Sequence, residues 1–226
     1  MLASRMPQTT SDWIIFGAIV AVVIFISALQ ALHHRRRRAS LAAAARELGL
    51  QDVDVKSSDA GYIHHPVKGQ RGHKLRLCAV GFVADRAARL SEFTFQTGSG
   101  KYTRTNYNLQ LSLECPESWP AIHLSDKPDF MNRPISQLFR SARPVTDDAV
   151  FEKRWQVRGA GATRAAATLT PELRALLLQG EKTEFWSIQD GWLTCTRRRA
   201  CKPKDIRGLI DRAVQVRDAM ASTLGE

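Results

Sequence analysis

The sequence predicts an α+β protein: an antiparallel sheet with helices packed on one side, preceded by a single amino-terminal transmembrane helix. Three observations carry that reading. A twenty-residue apolar run occupies Trp13 to Leu32; alternating runs broken by turn residues follow in the middle of the chain; and two helices opened by proline, after Thr170 and at Pro203, stand among the last strands. Strands that pair through hairpins, with helices gathered after them, are the pattern of an antiparallel sheet covered on one face.

The chain divides into a short tail, 1–12, a transmembrane helix, 13–32, a basic juxtamembrane segment and helix, 33–50, and a soluble domain, 51–224. The run "WIIFGAIVAVVIFISALQAL" holds no charge, and only Ser27 and Gln30 are strongly polar. At about 1.5 Å per residue its helix matches the roughly 30 Å hydrocarbon layer. Trp13 stands at one end, where an amphipathic ring suits the headgroup region; Arg35, Arg36, Arg37 and Arg38 stand just past the other, within reach of lipid phosphates. A buried core helix seldom stays apolar on every face for five turns. A cleaved signal peptide has an apolar stretch of about 7–15 residues followed by small ones, whereas arginines follow here. The run is an anchor.

Orientation follows from positive charge. Arg5 alone lies before the span, against four consecutive arginines after it, so the expected topology is amino terminus outside and carboxyl domain in the cytoplasm. The formal charge of +11 is uneven: five arginines against one acid give residues 1–38 a charge of +4, leaving +7 for the rest. The arginine run is thus a topological stop rather than a nucleic-acid grip. Its attraction to anionic lipid is worth about 1 kcal/mol per basic side chain near the surface.

After the arginines, "ASLAAAARELGL" is strongly helix-forming, continues the membrane helix and closes on Gly49 as C-cap. His73–Ala84 reads as a buried strand, Ser91–Gln96 as a second and Asn108–Cys115 as a third. In the third, Leu109, Leu111, Leu113 and Cys115 share one face and Asn108, Gln110, Ser112 and Glu114 the other. "TGSGK" between the last two predicts a hairpin, and Ala121–Leu124 a further short strand. Pro134–Ser141 reads as a helical turn or two, and "VFEKRWQVRG" as a strand with Phe151, Trp155 and Val157 on one face. Thr170-Pro171-Glu172 starts a helix that stops at Gly180: threonine as N-cap, proline in the first turn, an acid at the positive dipole end. Asp190-Gly191 fits a type I′ turn pairing Ile188 with Leu193 and Trp186 with Cys195, with Trp192 exposed on the opposite face beside Ser187 and Thr194. Pro203 opens a long helix with Ile206, Leu209, Ile210, Ala213, Val216 and Met220 at helical spacing.

Motifs for chemistry are sparse. "TGSGKYT" departs from a phosphate loop at Tyr102, where a hydroxyl should hold magnesium, and at Phe95, where a glycine should permit the turn. "GAGA" at Gly159–Ala162 lacks the third glycine of a dinucleotide fingerprint and reads as a flexible turn. His64, His65, His73 and His123 have no carboxylate or cysteine spacing to make a metal site, and Cys78, Cys115, Cys195 and Cys201 form no C-x-x-C pair. In a cytoplasmic domain these are reduced thiols. No catalytic residue, cofactor or metal is expected. "RRRACKPK" places five cations, Arg197, Arg198, Arg199, Lys202 and Lys204, in eight residues at the exit of the hairpin. These are the candidate anion-binding residues, with lipid headgroups ranking above nucleic acid because the chain is tethered to a membrane.

"FEKRWQVRG", "LTPELRALLL", "WSIQDGWLTC" and the final helix resemble uncharacterised bacterial single-pass membrane proteins with a cytoplasmic α+β domain, over about the last 75 residues. The resemblance implies a bacterial inner-membrane protein and transfers no site residues. The expected function is a membrane-anchored binding or interaction module, whose partners are the lipid bilayer, anionic headgroups and a protein partner of unknown identity. The contrasting expectations are a membrane-tethered enzyme acting on a lipid or other anionic substrate and, after that, a membrane-held nucleic-acid binder. An enzyme needs a concave pocket with convergent polar groups; a binding module needs an exposed apolar or aromatic patch.

Overall fold

Helix α1 runs unbroken from Thr10 to Glu47, because neither the apolar run nor the alanine-rich stretch after the arginines contains a proline. Gly49, with φ of +85°, turns the chain out of it, a conformation glycine adopts without steric cost. The computed structural model describes residues 9–54, 71–97, 104–126, 145–159, 162–181 and 183–225. Two compact units divide at Ser40/Leu41. The second therefore starts ten residues before the expected boundary at 51, since Leu41, Ala42 and Ala45 are already core residues.

In that domain the order is β1 (Leu50–Asp52), β2 (Arg71–Val83), β3 (Arg86–Thr97), β4 (Arg104–Glu114), β5 (Ile122–Asp126), α2 (Ala149–Arg154), β6 (Trp155–Gly159), α3 (Ala162–Thr168), α4 (Pro171–Gln179), β7 (Glu184–Gln189), β8 (Trp192–Arg197) and α5 (Pro203–Leu224). The described strands form one eight-stranded sheet in the order β1-β2-β3-β4-β8-β7-β5-β6. Every pair is antiparallel. The architecture is the α+β fold read from the sequence. The β7–β8 hairpin is inserted between β4 and β5, so its strands pair with partners far away in the chain.

One face of the sheet forms the core. Leu77, Ala79, Leu90, Leu109, Leu111, Leu113, Leu193, Cys195, Trp186, Ile188, Ile122 and Leu124 point there, and α4 and α5 supply Leu173, Leu177, Ile206, Leu209, Ala213, Val216 and Met220. Full burial of each large aliphatic side chain contributes roughly 1.5–3 kcal/mol. The second face is polar along its middle but still shielded: Asn108, Gln110, Ser112 and Thr194 are buried. The Ser112 and Thr194 hydroxyls meet at 3.0 Å across the β4–β8 seam.

Several elements match their sequence reading. α4 starts at Thr170, whose hydroxyl accepts from the Leu173 amide, and ends at Gly180. Asp190 and Gly191 both have positive φ, 51° and 74°, as a type I′ turn demands, and the register pairs Ile188 with Leu193 and Trp186 with Cys195. Others differ. "VFEKRWQVRG" is not one strand: Ala149–Arg154 is helical because Asp148 caps it, accepting from the Val150 and Phe151 amides, and only Trp155–Gly159 is extended. β3 begins five residues earlier than Ser91, after an Ala84-Asp85 turn with φ of 47° and 59°. Ala162–Thr168 forms a helix the sequence reading did not include. The "TGSGK" turn beyond Thr97 and the Pro134–Ser141 helix lie outside the described residues.

Candidate functional site

Two features invite function: the helix able to cross a membrane and the basic exit of the β7–β8 hairpin. In α1 the large apolar side chains are exposed all round, Trp13 at 57 % and Ile14, Phe16, Ile19, Ile24 and Phe25 similarly. The Ser27 hydroxyl donates back to the Val23 carbonyl at 2.8 Å, so it is satisfied within the helix. This is one helix long and apolar enough to span a membrane. A contiguous apolar surface of this size marks a segment that contacts a membrane or a partner. Beyond it Arg35, Arg36 and Arg38 are exposed and Arg37 is half-buried.

The five cations of the hairpin exit separate into two groups. β-alternation turns Arg197 inward: it is 6 % exposed and meets Glu184 at 2.8 Å, on a carboxylate that is itself 0 % exposed. Glu184 also receives Arg212 from α5 at 3.0 Å. Arg212 reaches on to the Leu176 and Leu177 carbonyls, and Arg154 donates to the carbonyls of Leu178 (2.6 Å), Gly180 (2.8 Å) and Glu181 (2.7 Å). Two arginines therefore satisfy the open carboxyl end of α4, where backbone carbonyls lack helical partners and the dipole favours cations. Gly180 makes room for this, since a Cβ there would overlap the Glu184 carboxylate.

Arg199 binds Glu181 at 2.8 Å and lies 3.5 Å from Asp205. Arg197 and Arg199 thus serve the fold, while Arg198, Lys202 and Lys204 stay exposed. Arg198 lies 3.6 Å over the Phe185 ring. Lys202 precedes α5, its backbone amide donating to Asp205 at 2.8 Å, and Arg207 adds an exposed cation one turn further on. The sequence reading missed Arg207; its position three residues after Lys204 on a helix was the signal. Trp192 belongs to the opposite face, as its register requires, but it is half-buried, with Arg89 5.4 Å over its ring. It also starts β8, so at about 3.3 Å per residue it stands roughly 20 Å from Arg198. It does not join the basic exit.

Two cavities of different lining are described. A void of about 20 Å³ between the sheet and α4/α5, walled by Leu124, Leu173, Leu177, Trp186, Ile188 and Met220, offers no polar surface. It has room for about one water and no partner for it. An open cleft of about 410 Å³ is bordered by Leu169, Thr170, Arg174 and Asp147. Its guanidinium is committed to Asp147 at 2.8 Å, and Arg174 holds the Asp147 carboxyl below its usual range. Burial pushes the Cys195 thiol well up and the Cys201 thiol to about 11, so both are neutral near pH 7 and poor nucleophiles. All four cysteines are buried thiols outside any disulfide. Among the described residues no three metal-ligating side chains converge.

Helix and domain together define a class: proteins that join one helix apolar enough to cross a membrane to one α+β domain. No family model matches the chain, and no curated protein does. Among solved structures it is similar to the mycobacterial trehalose monomycolate transport factor A, TtfA, with a TM-score of 0.50 at 10 % identity, over 84 % of this chain and 93 % of that one. The likeness is one of fold.

Proposed function

We propose that this is a single-pass inner-membrane protein whose α+β domain works by binding in the cytoplasm rather than by catalysis. One observation carries the reading: α1 supplies both an apolar span and, without a break, the first core residues of the domain, Leu41, Ala42 and Ala45. The domain is thereby tethered, through one continuous helix, to the proposed anchor. The contacts are those of Trp13 at one end of the span and Arg35 to Arg38 at the other, with the arginines keeping the domain inside. Neutral buried thiols and a dry, water-sized void support binding over chemistry. The neighbouring fold belongs to a protein named a transport factor. The resemblance to bacterial single-pass proteins points to the same compartment.

The test is topological. With a reporter that works only outside the cytoplasm fused after Glu226, the full chain should resist alkaline extraction from membranes and give no reporter activity. A cytoplasm-active reporter at the same place should be bright. Strong activity of the external reporter, or release of the chain by alkali, overturns the proposal.

A further inference from the structure

We infer that Lys202, Lys204 and Arg207, with Arg198 beside them, form a docking surface for the anionic headgroups of a lipid bilayer. The inference rests on the membrane anchoring proposed above and narrows the basic exit to the residues the fold leaves for it. Arg197 is buried on Glu184, and Arg199 is engaged by Glu181 and Asp205. What remains outside is a row of exposed cations opening α5, on a loop and first helical turns that bury nothing at these positions. Asp205, the acid within this row, is turned to the Lys202 amide and to Arg199, so it neutralises the fold's own donors. The backbone amides at the start of α5 add a positive helix end in the same place.

Charge chooses the occupant. The patch is complementary to an anionic surface, and the chain carries its own membrane-crossing helix, which holds it where such lipid is concentrated. Single-stranded nucleic acid would want bare aromatic rings among the cations to stack its bases. Here the neighbouring Phe185 ring is covered by the Arg198 guanidinium at 3.6 Å, and Trp192 lies at the far end of β8. A lipid headgroup needs no such platform. Each cation should shift the docked-to-undocked ratio about fivefold, the equilibrium equivalent of the attraction of one basic side chain to an anionic leaflet.

The full chain can be tested in vesicles. Gly208 is exposed beside Arg207, and a Cβ there meets nothing within 4 Å, so Gly208→Cys accepts an environment-sensitive dye. The native thiols are buried and will not compete for it. In vesicles of phosphatidylcholine with phosphatidylglycerol, a headgroup spin label should quench the dye. Quenching should fall in high salt, as screening demands, and in phosphatidylcholine alone. Reversing Lys202, Lys204 and Arg207 to Glu should lower the docked ratio by about a hundredfold or more. The variant should still fold, because all three side chains are exposed and Lys204 lies in the first turn of the helix, where an acid is favourable. Reversing Arg86, Lys153 and Arg158, also exposed, changes the net charge equally and should leave quenching in place. Amide exchange in the first turn of α5 of the unmodified chain should slow in the same anionic vesicles, which guards against a fault of the labelled variant.

Absence of both quenching and slowed exchange in anionic vesicles at low salt overturns the inference. So does equal loss in the two reversals, which would make net charge the cause. An oligonucleotide that protects α5 in phosphatidylcholine vesicles, where the lipid does not, assigns the patch to nucleic acid and also overturns it. Failure of the topology proposal would be seen separately, since vesicle docking does not depend on which side of a cell membrane the domain occupies.

Discussion

The chain contains two arginine runs of similar composition and different fate. Arg35 to Arg38 lie on a helix whose surface carries them into water or headgroups. Arg197 to Arg199 lie across the end of a strand, where successive side chains point to opposite faces. There Arg197 goes inward to Glu184, Arg198 outward over Phe185, and Arg199 back toward Glu181. The same residue type flanks an apolar helix in one place, is a structural ion in another and a surface charge in a third. Secondary structure, not composition, decides which.

Substitutions can break that contrast, beginning where it is steepest. Glu184→Gln removes the carboxylate shared by Arg197 and Arg212 and leaves buried guanidinium charge uncompensated. A loss of about 3–5 kcal/mol in denaturant unfolding is expected, and a loss under about 1 would show that water reaches the pair. Gly180→Ala drives a methyl against the same carboxylate and should cost about 1–3 kcal/mol. Gly191→Val tests the turn that puts Arg197 and Glu184 in register: a β-branched residue at φ of 74° should cost at least about 1 kcal/mol, and an unchanged midpoint would contradict the type I′ geometry. Arg199→Ala breaks a half-exposed pair and should cost under about 1 kcal/mol, less in salt. Replacing Arg35 to Arg38 with alanine should leave unfolding of the 41–226 domain unchanged while disturbing membrane orientation. Destabilisation by that change would mean the first run is also structural.

Much of this was legible because its chemistry is local. The Asp190-Gly191 turn, the Thr170-Pro171 start of α4 and the Pro203 start of α5 each need a particular backbone, and only a few residue types provide it. α2 was obscured because Phe151 and Trp155, four apart, suit a helix and a strand alike; Asp148 as a cap was the deciding residue. The Ala84-Asp85 turn was missed because no glycine marks its positive φ. The insertion of β7–β8 between β4 and β5 has no local signature, since it depends on pairing between distant segments. The structural role of Arg197 could have been found. Extending the hairpin register by one same-face step beyond Trp186–Cys195 pairs Glu184 with Arg197. A sequence reading that looked for a ligand of the arginine run passed over the carboxylate already waiting across the hairpin.

The joining of α1 to the core also sets the order of events while the chain is made. The span leaves the ribosome early, whereas the core that includes Leu41 and Leu50 stays open until α5 brings Ile206, Leu209 and Val216. At about 5–20 residues per second, the interval between them is some ten to thirty seconds. A helix apolar enough to span a membrane is thus complete before the core can close. For that interval the sheet stays unfinished, its apolar face waiting for α5 to cover it.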